Sequence, residues 1–297
     1  MGIEKKVSSL RKYKCVERLL DAIAFYKVGQ GYYKISRRMK GEYISDNPFW
    51  NGAKEYFSNP EIKSIIKDNI KFLEDEKSVI QYKGIIKARQ TRRFADVPTA
   101  SLKKLPCQYF DTEIIPITDN YVFVDGGAWV GDSIYWFKKK LGGQKIISFE
   151  PGDRQFARLC ERYGKDEKII LKKAGLWSSS GKLMFENSEA GGDARIVADG
   201  NSRDCVGIPV VSIDELEECR DASFIKMDIE GSEQEALKGA EETIRRNHPI
   251  LAICLYHSNE DMVHIPKWLH DHFPEYKFYF RHYSFDLTES VFYAVLI

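Results

Sequence analysis

Beyond Pro106 the chain acquires a regular rhythm, in which short runs rich in β-branched and aromatic residues alternate with longer runs of helical period. Strands are expected at Tyr121–Val124, Lys145–Phe149, Ile169–Lys173, Ser223–Met227, Ile250–Leu255, Lys277–Arg281 and Val291–Leu296. Helices are expected over 132–141, 153–164, 233–246 and 260–272, with less regular β-rich pieces at Lys182–Phe185 and Ile208–Val211. Few architectures accommodate such an alternation. It predicts an α/β fold with a mostly parallel sheet covered by helices on both faces. The last two strands depart from the pattern. A parallel crossover needs about a dozen residues or more, and the loop between them is shorter, so they are expected to form a terminal antiparallel hairpin.

Residues 1–105 read instead as a helical N-terminal region, leaving 106–297 as the α/β domain. Val7, Leu10, Leu19, Leu20 and Ile23 recur near helical spacing, and Asn59-Pro60 marks a helix start followed by Ile62, Ile65, Ile66 and Ile70. Gly29–Gly31 and Asp46–Pro48 read as breaks. Residues 1–118 carry 23 Lys and Arg against 14 Asp and Glu, a net of +9, whereas the remainder carries 22 against 30, a net of −8. That asymmetry fits a two-part organisation. A basic first part can attract a phosphate-bearing substrate, or it can simply be a solvated helix surface.

A hydrophobic fraction of 43% with 30% charged residues is ordinary for a globular protein and excludes a disordered chain. No apolar run approaches the ~20 residues of a membrane span, and the charged start does not read as a signal peptide. The six cysteines form no CxxC pair, which argues against a zinc site and for reduced thiols in a cytoplasmic protein. The oligomeric state is not legible.

The segment Val122-Phe-Val-Asp125-Gly126-Gly127-Ala128-Trp129-Val130-Gly131-Asp132 runs strand, glycine turn, helix, the arrangement that lets backbone approach a ligand closely. The dinucleotide pattern GxGxxG would need glycine at 128, where Ala128 stands, and no Lys-Ser/Thr pair follows to make a phosphate loop. Charge points the same way. Asp125 would repel a pyrophosphate but suits the cationic amino group and sulfonium of S-adenosyl-L-methionine, although a simple turn-capping role remains open. The next strand ends at Glu150-Pro151, 25 residues past Asp125, where an acidic side chain can accept from ribose hydroxyls. Ala174 and Gly175, at the end of the third strand, are expected near the adenine. Asp125, Gly126, Gly127, Ala128, Gly131, Asp132, Glu150, Pro151, Ala174 and Gly175 thus form the candidate cofactor site.

A second dense segment is Lys226-Met-Asp228-Ile-Glu230-Gly231-Ser232-Glu233. Ser232 and Glu235 read as a capping box, and acidic residues suit a helix N-terminus, which accounts for Ser232, Glu233 and Glu235 without chemistry. Lys226, Asp228 and Glu230 lie at or past the carboxyl end of a central strand, where open α/β sheets bind ligands. His257 ends the next strand, and Arg281, His282 and Tyr283 end the one after. The last three, with Lys226, are candidates for contacts to sugar hydroxyls or a phosphate. Each has a plainer reading as an ion-paired, capping or surface group.

The segments VFVDGGAWVGDS, ISFEPG, KKAGLWSSSG, VVSIDEL and FIKMDIEGSEQEALKGAEETI, in that order, resemble the FkbM family of methyltransferases over roughly residues 107–297. The resemblance implies a Rossmann-like class I methyltransferase sheet, S-adenosyl-L-methionine as cofactor, and an acceptor hydroxyl on a sugar of a glycan, glycolipid or natural product. It assigns no base. From the residues, Asp228 and His257 are the base candidates with Glu230 third, and a divalent metal between Asp228 and Glu230 is an option because carboxylates suit Mg²⁺. Three other readings stay open: an NAD-dependent or nucleotide-sugar-modifying enzyme, a nucleic-acid methyltransferase drawn by the basic N-terminal part, and a non-catalytic S-adenosylmethionine-binding module. The nucleic-acid reading is weakened because Asp228-Ile-Glu-Gly is not the (D/N)PP(Y/F) motif of amino-methylating enzymes.

Overall fold

The computed structural model describes residue 44 and residues 48–98, 108–143, 145–186, 195–196, 205–284 and 286–296. The helical pattern expected around Val7–Ile23, the break at Gly29–Gly31 and the boundary at 105/106 lie outside them.

After two short helices, α1 (Ala53–Tyr56) and α2 (Pro60–Lys71), comes the longer α3 (Glu76–Thr91). Asn59 caps α2 by accepting from the Glu61 amide at 2.8 Å, with Pro60 pre-set for the first turn. The α/β part runs β1 (Val122–Gly126), α4 (Asp132–Lys140), β2 (Lys145–Phe149), α5 (Asp153–Tyr163) and β3 (Ile169–Lys172). Four strands then follow, β4 (Gly175–Leu176), β5 (Gly181–Glu186), β6 (Arg195–Ile196) and β7 (Cys205–Val211). Last come β8 (Phe224–Met227), α6 (Glu233–Lys238), α7 (Glu241–Asn247), β9 (Ile250–Cys254), α8 (Asp261–His272), β10 (Lys277–His282) and β11 (Ser290–Val295).

Seven strands form the main sheet in the order β10-β11-β9-β8-β1-β2-β3. The pairs among β3, β2, β1, β8 and β9 are parallel, and β11 runs antiparallel between β9 and β10. This is the mostly parallel sheet with a terminal hairpin that the alternation predicts. The less regular pieces between the third and eighth strands form a separate small sheet, β4-β7-β5-β6, rather than extending the main one.

Alternation along the central strands divides the core. Val124, Ile147, Ile225 and Leu251 join one buried cluster, and Phe123, Ile146, Phe224 and Ala252 join the other. The first cluster also takes Tyr82, Ile85, Phe94 and Val97, so the described N-terminal helices complete the cover of one sheet face. On the opposite face, Phe123, Phe137, Phe110 and Phe224 pack ring against ring.

The helix expected over 233–246 is two helices. A side chain at Gly239, between them, would place its Cβ 2.1 Å from the Trp177 carbonyl oxygen, so the break lies where the strand β4 connection crosses the chain. Ser232 makes no side-chain cap bond, so the expected capping box does not form. Glu235 instead pairs with Lys238, and Glu233 turns inward.

Candidate active site

β1 and β8 are neighbours in the sheet although the chain visits β2 and β3 between them, so the strand order reverses here. At such a switch point the connections leave in opposite directions and open a crevice at the carboxyl ends of the strands. Register brings Ser148, Asp125 and Lys226 side by side across β2, β1 and β8. Asp125 is fully buried. It accepts from Ser133 Oγ at 2.6 Å and Ser148 Oγ at 3.3 Å, and its other oxygen lies 3.2 Å from Lys226 Nζ. The carboxylate therefore stands behind the turn rather than projecting into the crevice.

The turn is held by backbone. Gly127 and Gly131 have φ of 74° and 85°, and a Cβ on Gly127 would stand 1.8 Å from the Asp228 carbonyl oxygen. The Gly127 and Ala128 amides both donate to the Phe149 carbonyl, at 3.1 and 3.0 Å, and the Trp129 amide donates to Glu150 Oε2 at 2.8 Å. Three consecutive N–H groups, the donors a pyrophosphate would need, are thus committed to the end of β2. Glu150 also accepts from the Gly152 amide at 2.8 Å, and burial pushes its carboxyl above the usual range. A carboxylate has about four acceptor sites, so two amides leave capacity for hydroxyl donors. Pro151 follows Glu150 directly, Asp132 opens α4, and buried Ala174 precedes Gly175 at the start of β4.

Lys226 does not face the crevice. Its buried ammonium donates to the Gly126 and Gly127 carbonyls at 2.8 and 2.7 Å, faces Asp125 and lies 5.0 Å from the Tyr109 ring centroid. Two of its donors are thus spent on the turn carbonyls, and its charge faces the Asp125 carboxylate behind them. Burial alone would lower its pKa, but Asp125 and Asp228 outweigh that and hold it above the normal lysine range. Lys226 thus fixes the shape of the glycine turn instead of reaching a substrate.

Asp228 stands just past β8, its amide donating to the Gly126 carbonyl at 3.1 Å. Its carboxylate, 22% exposed, accepts from Tyr109 at 2.6 Å and Tyr256 at 2.7 Å. Burial works to raise its pKa, but Lys226, His257 and the two phenols hold it at about 2. Both phenols are held neutral, first by burial and then by the Asp228 charge.

His257 is fully buried between carboxylates. Nδ1 is 2.9 Å from Glu233 Oε1, while Nε2 is 3.3 Å from Asp228 Oδ1 and 3.6 Å from Glu230 Oε2. Burial would lower its pKa, but Glu233, Asp228 and Glu230 together raise it to about 10. With nothing else bound the ring is an imidazolium at neutral pH, which removes it as a proton acceptor. Glu230 occupies a left-handed turn at φ 58° beside Gly231, which aims its carboxylate back at the histidine.

Arg281, His282 and Tyr283 turn away from this cluster. Arg281 reaches Asp75 at 2.6 and 3.1 Å and Ser78 at 2.7 Å, tying β10 to the start of α3. His282 Nδ1 pairs with Ser290 Oγ at 2.9 Å, and burial lowers its pKa to about 4. Tyr283 pairs with Tyr293 and Asp111 at 2.8 and 3.1 Å. The strand end lies on the expected side of the sheet, but its side chains are consumed by Asp75, Ser78 and Asp111 and by Ser290 and Tyr293 of β11.

The expected site contains neither Tyr109, Tyr256 nor Glu233 in a functional role. Tyr109 lies 119 residues from Asp228, and no spacing rule connects them. Glu233 carries the signature of a helix cap, and only the segment after β9 shows that it holds His257.

Residues 125–281, more than half of the chain, match the methyltransferase FkbM domain. A solved methyltransferase FkbM from Methylobacillus flagellatus superposes with a TM-score of 0.66 at 22% identity, covering 81% of this chain and 60% of that one. The hexuronic acid methyltransferase AglP of Haloferax volcanii is 34% identical over 100 residues, which are 32% of this chain and 40% of that protein. The chain therefore spans less than two thirds of either relative, while the domain match runs from Asp125 of β1 to Arg281 of β10. It belongs to the FkbM methyltransferase family.

Proposed function

We propose that the protein transfers a methyl group from S-adenosyl-L-methionine to a hydroxyl oxygen of a carbohydrate. The observation that carries this reading is Asp228. A partly exposed carboxylate, locked by two phenols at the switch point, sits directly against a glycine turn whose amides are unavailable to phosphate. A cationic sulfonium suits that crevice, with Asp125 behind the turn and Glu150 at its rim for the ribose. A dinucleotide does not, because Gly127, Ala128 and Trp129 have no free N–H to offer it.

The transfer is an in-line displacement. The acceptor oxygen forms a bond to the methyl carbon as the carbon–sulfur bond breaks, and the sulfonium becomes a neutral thioether. Alignment supplies most of the acceleration, of order 7–11 kcal/mol. The hydroxyl proton must leave. The protonated ether produced by methylation is a strong acid, so even a carboxylate as weakly basic as Asp228 can accept its proton. Tyr109 and Tyr256 keep that carboxylate oriented toward the acceptor. The name of the Haloferax relative supports a sugar acid among the acceptors. A cytoplasmic setting remains part of the proposal, resting on the scattered cysteines; among the described residues no helix is long and apolar enough to cross a membrane.

The test is transfer of labelled methyl from S-adenosyl-L-methionine to a panel of hexuronosides, neutral glycosides and sugar phosphates. Label in a base-stable ether of one acceptor class is the expected result. Binding of S-adenosylhomocysteine with no transfer to any of them would leave only a binding module.

A further inference from the structure

We propose that His257, Asp228 and Glu230 form a binding site for one divalent first-row transition ion of the Mn²⁺ or Zn²⁺ kind, with Glu233 as the outer carboxylate that orients the histidine. The inference rests on the methyl-transfer reading only for what the ion does there, not for its binding.

Asp228, Glu233 and His257 present donor atoms that all lie within 4.8 Å of one another. The imidazole divides its two nitrogens between them. Nδ1 meets Glu233 Oε1, which is itself fixed by the Ile229 amide at 2.8 Å. Metal-bound histidines commonly donate their other N–H to a carboxylate in this way, which sets the tautomer and directs the free nitrogen. Here the nitrogen so directed is Nε2. It is fully buried and makes no hydrogen bond.

Nε2 faces two carboxylate oxygens, Asp228 Oδ1 at 3.3 Å and Glu230 Oε2 at 3.6 Å. Donors that share one cation at bond lengths of about 2.0–2.2 Å stand roughly 2.8–3.6 Å apart, so these separations fit a common ion. An unprotonated Nε2 would aim its lone pair at two anionic oxygens, so a cation belongs among them, a proton in the metal-free chain or a metal ion. A proton can bridge to only one oxygen at a time, whereas a metal ion serves both. Two carboxylates alone would suit Mg²⁺ or Ca²⁺, but the buried imidazole shifts preference toward ions that accept nitrogen. Three protein ligands leave open positions. Held there, the ion would acidify and orient an acceptor hydroxyl next to Asp228, a role that carboxylates alone perform less well.

The experiment strips the full chain with EDTA, exchanges it into metal-free buffer and titrates Mn²⁺, Zn²⁺ and Mg²⁺ separately by calorimetry, with thermal melts of each variant as the folding control. One saturable equivalent of Mn²⁺ or Zn²⁺ is expected, bound at least tenfold tighter than Mg²⁺. Asp228→Asn and His257→Ala should each weaken it by 100-fold or more. Glu230→Gln, a change at a partly exposed side chain, should weaken it about tenfold, and Glu233→Gln about 10–100-fold. Absence of a saturable site in the wild-type chain, or affinity unchanged in folded Asp228→Asn and Glu230→Gln, overturns the proposal. Metal binding without methyl transfer to any acceptor supports the ion site and removes the function proposed above. Full-rate methyl transfer by protein shown to contain no metal supports that function and overturns the ion's part in the transfer, leaving the titration to decide the site itself.

Discussion

The two halves of the crevice are built by different means. On the β1–β2 side the site is backbone: Gly127 and Gly131 at positive φ, amides tied to Phe149 and Glu150, and a buried lysine clamping carbonyls. On the β8–β9 side it is side chain: a histidine among acids, an aspartate between two phenols. A backbone site is rigid because moving it breaks the strand ends that make it. A side-chain site is adjustable, and its energetics are dominated by charge. The first kind suits holding a cofactor common to a family. The second suits chemistry and acceptor choice.

The largest expected effect comes where the two halves touch. Gly127→Ala adds a Cβ at 1.8 Å from the Asp228 carbonyl and at a φ unfavourable to alanine. The turn and the strand end cannot both stay in place. A loss of roughly 4 kcal/mol or more in urea unfolding is expected, with S-adenosylhomocysteine binding abolished. An alanine variant with unchanged midpoint and binding would show that the turn is not rigid, and the contrast would fail.

Next is Asp228→Asn, which separates the halves. Methyl transfer should fall by about 10²–10⁴-fold, while S-adenosylhomocysteine affinity stays within a few-fold, because no cofactor-side hydrogen bond in the turn depends on the carboxylate. Equal losses in both measurements would mean that Asp228 serves the cofactor and not the acceptor.

What the sequence made legible divides along the same line. The glycine turn, the place of Glu150 at a strand end and the mostly parallel sheet with its terminal hairpin follow from local pattern, since positive φ, strand ends and crossover lengths are each set within a few residues. The side-chain half needs distant partners. Tyr109 reaches Asp228 across 119 positions. Glu233 carries the local signature of a cap, and its true partner, His257, lies 24 positions on, just past β9. Arg281 and His282 sit at the correct end of β10 but are consumed by Asp75, Ser78 and Ser290, which no reading of their own neighbourhood shows.

The side-chain half should also be the pH-sensitive one. In metal-free protein the folded pKa of His257, about 10, exceeds its unfolded value near 6.5. The imidazolium's contribution to stability is therefore fully present below pH 6.5 and is lost progressively as pH rises toward 10. Glu233→Gln removes the first of the carboxylates that raise it, leaving the ring with Asp228 and Glu230. The variant should lose about 3 kcal/mol at pH 6.5, the cost of breaking a buried pair, and a smaller amount at pH 10. Thermal unfolding in EDTA at the two pH values measures both. A stability difference between wild type and variant that does not shrink with rising pH would show that Glu233 acts by packing and not through the histidine's charge.

The smallest effect tests the backbone half on its own terms. Glu150 accepts from the Trp129 and Gly152 amides and is expected to accept from ribose as well. In Glu150→Gln the single amide oxygen can keep one of the two backbone bonds, but the new NH₂ cannot accept the other, and it confronts a donor where an acceptor stood. The turn has further anchors in the Gly127 and Ala128 bonds to Phe149 and in Lys226, so the fold should give up only about 1–2 kcal/mol. The ribose loses a charged acceptor, which should weaken S-adenosylhomocysteine about tenfold and leave the maximal rate at saturating cofactor nearly intact, because no group on the β8–β9 side leans on Glu150. A rate that falls with saturating cofactor would mean that the two halves are coupled through the Trp129 amide, and that the backbone half positions the acceptor as well as the cofactor.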